Sequence, residues 1–422
     1  MASTLTTFAD LLKERYADAN MVEQLSMADE PLYSMLEKAG DANIAGSEFV
    51  VPIIYSNPQG VAGNYTDALA NTSNIAAAAW HIVPGNHVGT VEIGDKVLKA
   101  SRGNNGAILD NKRVEIDGLY TTMGESQAAH IWGNGGQSIG QIGTIVSTNV
   151  WELADKAQIC NFEYGMEIVL STGDGSSTSD SEVDSGNSTT VAAVDRNLGR
   201  ITVTGSDISG EAVGDYIFRE GEFYGDQYAS NAIMTGVQAF VDNQTTLPTL
   251  WGVSNTVRAY DRERFGGCSV PDADVNGMAL SARIKTLLAW MAGRYKSKVP
   301  THGFLHPEDF QLLETELEAR RITPEVDKGT QFGFMKLTVV TGRGAIPIYS
   351  DRHVPKGNFF ALRLEDWKLH WLGPALLHVM DEDGAGEILR KYDGINYEYR
   401  LLSYPALSNR APKNSGRVSL YD

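Results

Sequence analysis

Cysteine is almost absent from this chain: Cys160 and Cys268 are the only two among 422 residues, which excludes a disulfide framework and suits a reducing compartment. Both are expected to be small, buried and apolar. No run of Lys and Arg occurs, and 35 basic against 53 acidic residues leave a formal net charge of -18. Neutralising phosphates takes clustered cations, so sequence-specific reading of DNA or RNA is excluded. Long apolar runs are missing too. Met1 to Arg15 carries acids within its first turns and suits neither a signal peptide nor a membrane span, so a soluble, unsecreted protein is expected. Catalytic signatures are lacking as well. There is no phosphate loop ending in Gly-Lys-Ser or Gly-Lys-Thr, and no nucleophile, base and orienting group that pair up. No enzyme, no catalytic residue and no cofactor are expected.

What is present is an ordinary folded composition, 42% hydrophobic and 21% charged, in a chain long enough for several lobes. Leu5, Phe8, Leu11, Leu12 and Tyr16 fall at helical spacing, an amphipathic arm with charges on its other face. A second helical pattern runs from Val22 to Lys38 and is interrupted by Pro31. From Glu48 to about Ala100 the texture becomes extended: Phe49 to Tyr55, His81 to Val83 and His87 to Val97 alternate like strands, around a Gly, Asn, Ala and Thr-rich middle. A hairpin so poor in large apolar residues cannot bury itself, and is expected to lie on something else. Asn105 to about Trp132 reads as one long helix, stopped by Gly133-Asn134-Gly135-Gly136.

Asn161 to Phe223 reads as an inserted all-β module with a hairpin turn at Asp195 to Gly199 and a solvated loop from Gly173 to Asn187. Within that loop Asp174, Asp180 and Asp184 are weak candidates for binding a cation, because their spacing does not match a calcium loop. A mixed α/β region follows, with helices over Asn276 to Ser297 and Pro307 to Arg321. His302 and His306 stand four apart, but Gly303 and Pro307 favour a strand-to-helix turn over a metal site. Trp367, Leu369 and Trp371 are expected on the buried face of a half-buried strand, with Lys368 and His370 opposite.

This order of parts resembles the tailed-bacteriophage major capsid proteins of the Hong Kong 97 type. Two stretches carry local likeness: Gly303 to Leu313, where a strand ends and a helix begins, and Ile346 to Gly357, a strand and turn before a Phe-rich strand. The resemblance implies an α+β fold with an N-terminal arm (1–47), an extended loop (48–104) and a spine helix with peripheral domain (105–160). The inserted β module (161–224), an axial domain (225–365) and returning strands (366–422) complete it. It further implies self-assembly into hexamers and pentamers of an icosahedral head, built in the host cytoplasm around double-stranded DNA held without sequence specificity. Scaffolding protein, portal and a decoration protein are the implied partners, with no membrane. Phe8, Leu11 and Leu12 of the arm and Tyr55, Tyr65, Trp80 and His81 of the loop are the expected inter-subunit contacts. Some family members cross-link through a loop Lys. Here Lys96 and Lys99 sit at the loop's closing end, so non-covalent assembly is expected. The encapsulin-like nanocompartments share the implied fold and form the alternative.

Overall fold

The computed structural model describes residues 30–39, 44–45, 48–95, 111–177, 179–205, 208–223, 233–244, 246–320, 337–373, 378–379, 389–390, 394 and 396–421. Phe8, Leu11 and Leu12 lie outside these, as do Lys96 and Lys99. Pro31 opens α1 (Pro31–Met35) rather than interrupting a longer helix: its fixed φ suits a first turn and it has no N–H to orphan there. The chain passes at once into β1 (Glu37–Ala39), burying Leu32, Tyr33 and Leu36 on the way.

β2 (Ile44–Ala45) pairs with β3 (Glu48–Ser56), which pairs antiparallel with β4 (Ala76–Ile82), Phe49 opposite Ile82 and Pro52 opposite Ala79. The edge of β3 past Phe49 has no partner among the described residues, so Pro52 forfeits no ladder bond. A short helix the sequence did not announce, α2 (Tyr65–Ala70), sits at the far end. Asn64 caps it, its Oδ1 accepting from the Asp67 amide at 2.8 Å. β5 (His87–Ile93) leaves this hairpin and pairs with residues 397–403 near the other end of the chain. The hairpin therefore closes at Ile82, and the strand expected from His87 onward belongs to another sheet. β5 crosses α3 (Asn111–Trp132), a helix of 22 residues, roughly 33 Å long. Gly89 makes that crossing possible, since a Cβ there would lie 2.5 Å from Met123 Sδ.

After α3 stops at Trp132, six strands close into a barrel in the order β10-β7-β6-β11-β8-β9. They are β6 (Gly140–Ser147), β7 (Val150–Leu153), β8 (Glu167–Ser171), β9 (Thr189–Asp195), β10 (Arg200–Val203) and β11 (Tyr216–Arg219). Trp151, Phe162, Leu170, Ile201 and Ile217 fill it. The expected module began at Asn161, whereas the closed barrel also takes in β6 and β7. The turn between β9 and β10 is as expected: Asp195 Oδ1 accepts from the amides of Asn197 and Leu198, and Gly199 has φ +66°.

The next body is a six-stranded sheet in the order β12-β22-β16-β13-β15-β14. Its strands are β12 (Cys268–Ser269), β13 (His302–Leu305), β14 (Leu337–Thr341), β15 (Gly344–Ser350), β16 (Asn358–Leu362) and β22 (Gly416–Ser419). Two helices, α4 (Leu280–Gly293) and α5 (Pro307–Arg320), pack with it, Leu287, Met291, Leu305, Ile348 and Phe359 sharing one core. The strand-to-helix turn stands at His302 to Pro307, where His306 Nδ1 accepts from the Glu308 amide at 3.3 Å and so caps α5.

The remaining strands are β17 (Trp367–Trp371), β18 (His378–Val379), β19 (Leu389–Arg390), β20 (Tyr397–Ser403) and β21 (Pro405–Asn409). β17 lies between β1, parallel, and β21, antiparallel, while β20 pairs with β5, β18 and β19. β17 is not half-buried by alternation. His370 is buried as well, stacked on Phe49 with centroids 4.8 Å apart, its Nε2 2.8 Å from Ser408 Oγ. Trp80, Trp132, Phe240, Phe265, Phe304, Phe360 and Trp367 join these bodies into one aromatic core.

Candidate assembly surface

The base and the tip of the β3–β4 hairpin are chemically different objects. Phe49, Ile53, Trp80 and Ile82 are buried on the chain's own body. Trp80 is 0% exposed, edge-on to Phe240 and Phe265 at 5.9 Å, with the Arg258 guanidinium over its ring. The expectation that Trp80 meets a neighbour is thus corrected: an indole enclosed on every side by its own chain has no face left to offer. Tyr55 is half-buried, its ring 5.4 Å from Phe265 and 6.1 Å from the exposed Tyr260. His81 is exposed and its Nδ1 lies 3.0 Å from Glu48 Oε2 across the pair of strands.

From Asn57 to Ile75 every residue is exposed except the half-buried Ala68, and α2 buries none of its side chains. Val61 is 83% and Tyr65 81% exposed, with Leu69 and Ile75 beside them in sequence. Ile54 and Val50 extend the apolar surface down β3. The tip is braced from within. Gln59 N donates to Ser73 Oγ at 3.0 Å, and Gly60 sits close against Ala68 and Thr72. The tip is thus a shaped element that holds several large apolar side chains in water. Sequence reading named Tyr65 but not Val61, Leu69, Ile75 or Ile54, which are exposed as it is. Their signal was available as isolated large apolar residues in a stretch otherwise made of Gly, Asn, Ala and Thr.

The arm's root is pinned by charge. Glu30 is buried and ion-paired to Arg352 Nη2, with His353 Nε2 at 3.3 Å, and Arg352 also reaches Glu125 on α3 at 3.2 Å. Burial pushes the Glu30 carboxyl up, but hydrogen bonding and charge from His353 and Arg352 outweigh it and hold the group below the ordinary carboxylate range. Beside it, Asp351 accepts from the Leu32 amide at 3.4 Å and from Trp132 Nε1 at 3.1 Å, tying the start of α1 to the end of α3. Burial, its largest influence, raises the Asp351 carboxyl above its usual value.

The three acidic candidates are each engaged by hydrogen bonds from the protein itself. Asp174 accepts from Asn134 Nδ2 at 2.7 Å, Asp180 from the Gly175 amide at 2.9 Å, and Asp184 from the amide and hydroxyl of Ser209 at 2.8 and 2.9 Å. Among the described residues no cluster of three or more His, Cys, Asp or Glu is placed to hold a metal ion, and no helix is long and apolar enough to cross a membrane.

No protein-family model matches the chain, and no curated protein matches its sequence. The fold is that of the tailed-phage major capsid proteins. The capsid protein of cyanophage A-1(L) is similar over 99% of both chains, at 11% identity and a TM-score of 0.53. That of a native GTA particle is similar over 100% of both, at 9% identity and a TM-score of 0.51. The SrpI encapsulin of Synechococcus elongatus, 9% identical over 100% of this chain and 96% of that one, stands lower, at a TM-score of 0.46.

Proposed function

We propose that this chain is the major capsid protein of a tailed phage, a shell subunit and not an enzyme. It assembles into the hexamers and pentamers of an icosahedral head around double-stranded DNA, in the cytoplasm of the host. The observation that carries the reading is the braced, apolar hairpin tip from Asn57 to Ile75, which the chain's own body leaves in water. A neighbouring copy provides the missing cover, and Tyr55 and His81 lie along the approach to it. Fully burying one large apolar side chain contributes about 1.5–3 kcal/mol, so modest contacts repeated by symmetry suffice for a closed shell. The capsid fold, which the chain has, supports the same reading. Scaffolding protein, portal and decoration protein are its proposed partners, and the six parts laid out in the sequence are its proposed domains, with the β module enlarged by β6 and β7 and β5 moved from the loop to the returning strands. Assembly is non-covalent, so a ladder of multimers on a denaturing gel would count against that part.

The test is electron microscopy of the purified full-length protein with and without its scaffold, and of particles from its native cell. Closed shells carrying DNA are expected. Protein that stays monomeric under every assembly condition overturns the reading. Shells filled with a cargo enzyme would replace it by the nanocompartment alternative.

A further inference from the structure

Between Val275 and Pro307 the chain carries Arg283, Lys285, Arg294, Lys296 and Lys298 and not one acid; nor does an acid occur from Leu337 to Ser350, where Arg343 stands. In a chain of 53 acids and 35 bases this is a local inversion of charge, and the fold joins the two stretches. A cavity of about 270 Å³ opens between α4 and the β14–β15 turn, lined by the apolar Leu288, Val299 and Ile346 and by Lys285, Lys298 and Arg343. No Asp or Glu lines it. The Arg343 guanidinium donates to the Ser297 carbonyl at 2.9 Å, which holds it in place at the rim. β14 ends the six-stranded sheet, and among the described residues no strand pairs with its outer edge. Val340, which also lines the cavity, is 75% exposed on that edge strand. An open ladder of backbone donors and acceptors is a template for one more strand unless charge or cover blunts it.

We propose that the β14 edge and this cavity dock an extended, acidic and apolar segment of a partner protein. The segment adds a strand to the sheet, seats an apolar side chain in the cavity and lays its carboxylates on Lys285, Lys298 and Arg343. Duplex DNA would satisfy the cations but leave both the apolar cavity and the backbone edge unused. The inference stands independently of the hairpin tip.

The probe is a fluorescent synthetic peptide alternating Asp and Val, titrated onto the full-length protein by anisotropy, beside a Lys and Val peptide and a DNA duplex. Saturable binding of the acidic peptide alone is expected, weakened about tenfold or more by Lys285→Glu with Lys298→Glu. Ala292→Phe fills the cavity without altering charge, and is expected to weaken binding as well. Should that variant fail to fold, Ala289→Leu on the exposed wall takes its place. No saturable binding by the unaltered protein, binding indifferent to the filled cavity, or preference for the duplex would each overturn the proposal.

Discussion

Trp80 shows how little a single position says about its environment. In sequence it is one aromatic among alanines, Ala76 to Ala79, and reads as an outward side chain on a loose ribbon. In the fold those alanines let the ribbon lie down and the indole enters the core. Trp80→Ala is therefore expected to destabilise the protein by about 3–5 kcal/mol, as read by denaturant unfolding, and a loss under about 1 kcal/mol would contradict its burial. His87 offers a pH test. Burial first of all, with His130 and Arg219 adding and Glu222 opposing, lowers it from 6.5 to about 4. It is thus neutral when folded, while the unfolded chain binds a proton below its ordinary value. Stability is complete above about pH 6.5 and falls as the pH drops toward the folded value, by roughly 3 kcal/mol at most. His87→Gln is expected to flatten that slope in melting curves taken between pH 7 and 4. Equal slopes in both proteins would refute the assignment.

At the scale of elements, the hairpin divides into an anchored half and an offered half, and the two respond differently to mutation. Tyr65→Asp with Leu69→Asp places charge on two exposed side chains of the tip. Monomer stability is expected to change by no more than about 0.5 kcal/mol per site, while shell formation is lost. Light scattering and a thermal melt on the same sample check both halves, and a large fall in melting temperature would mean that the tip packs at home. The barrel's extra strands were missed for a physical reason. Gly140 to Leu153 breaks its alternation with a bulge at Gly143, where the register shifts between Ile142 and Thr144. A Cβ at Gly143 would meet Ala154 Cα at 2.7 Å, so the kink that hid the strand is also what the closure requires.

For the whole molecule, the barrel is the body with the most self-contained core. Its interior cluster is its own, and its ladder closes on itself. Residues 138–220 expressed alone are expected to melt cooperatively, whereas an unfolded fragment would show that the barrel depends on its junction with α3. That junction is tight: a Cβ at Gly136 would lie 2.0 Å from the Asp174 carbonyl oxygen. His130 on α3 also faces the half-buried Glu222 just past β11, 3.6 Å away.

The sequence alone determined what depends on neighbours along the chain: the helix ending at Gly133 to Gly136, the Asp195 to Gly199 turn, the strand running into Pro307, and an exposed, apolar-poor middle to the hairpin. Those are set by backbone preferences and local periodicity. Only the tertiary structure decided that β5 pairs with β20 across some three hundred residues, that Trp80 faces inward, and that scattered cations gather around one cavity. Register between distant strands and the sum of charges on a surface depend on which segments meet, and no local pattern carries that information.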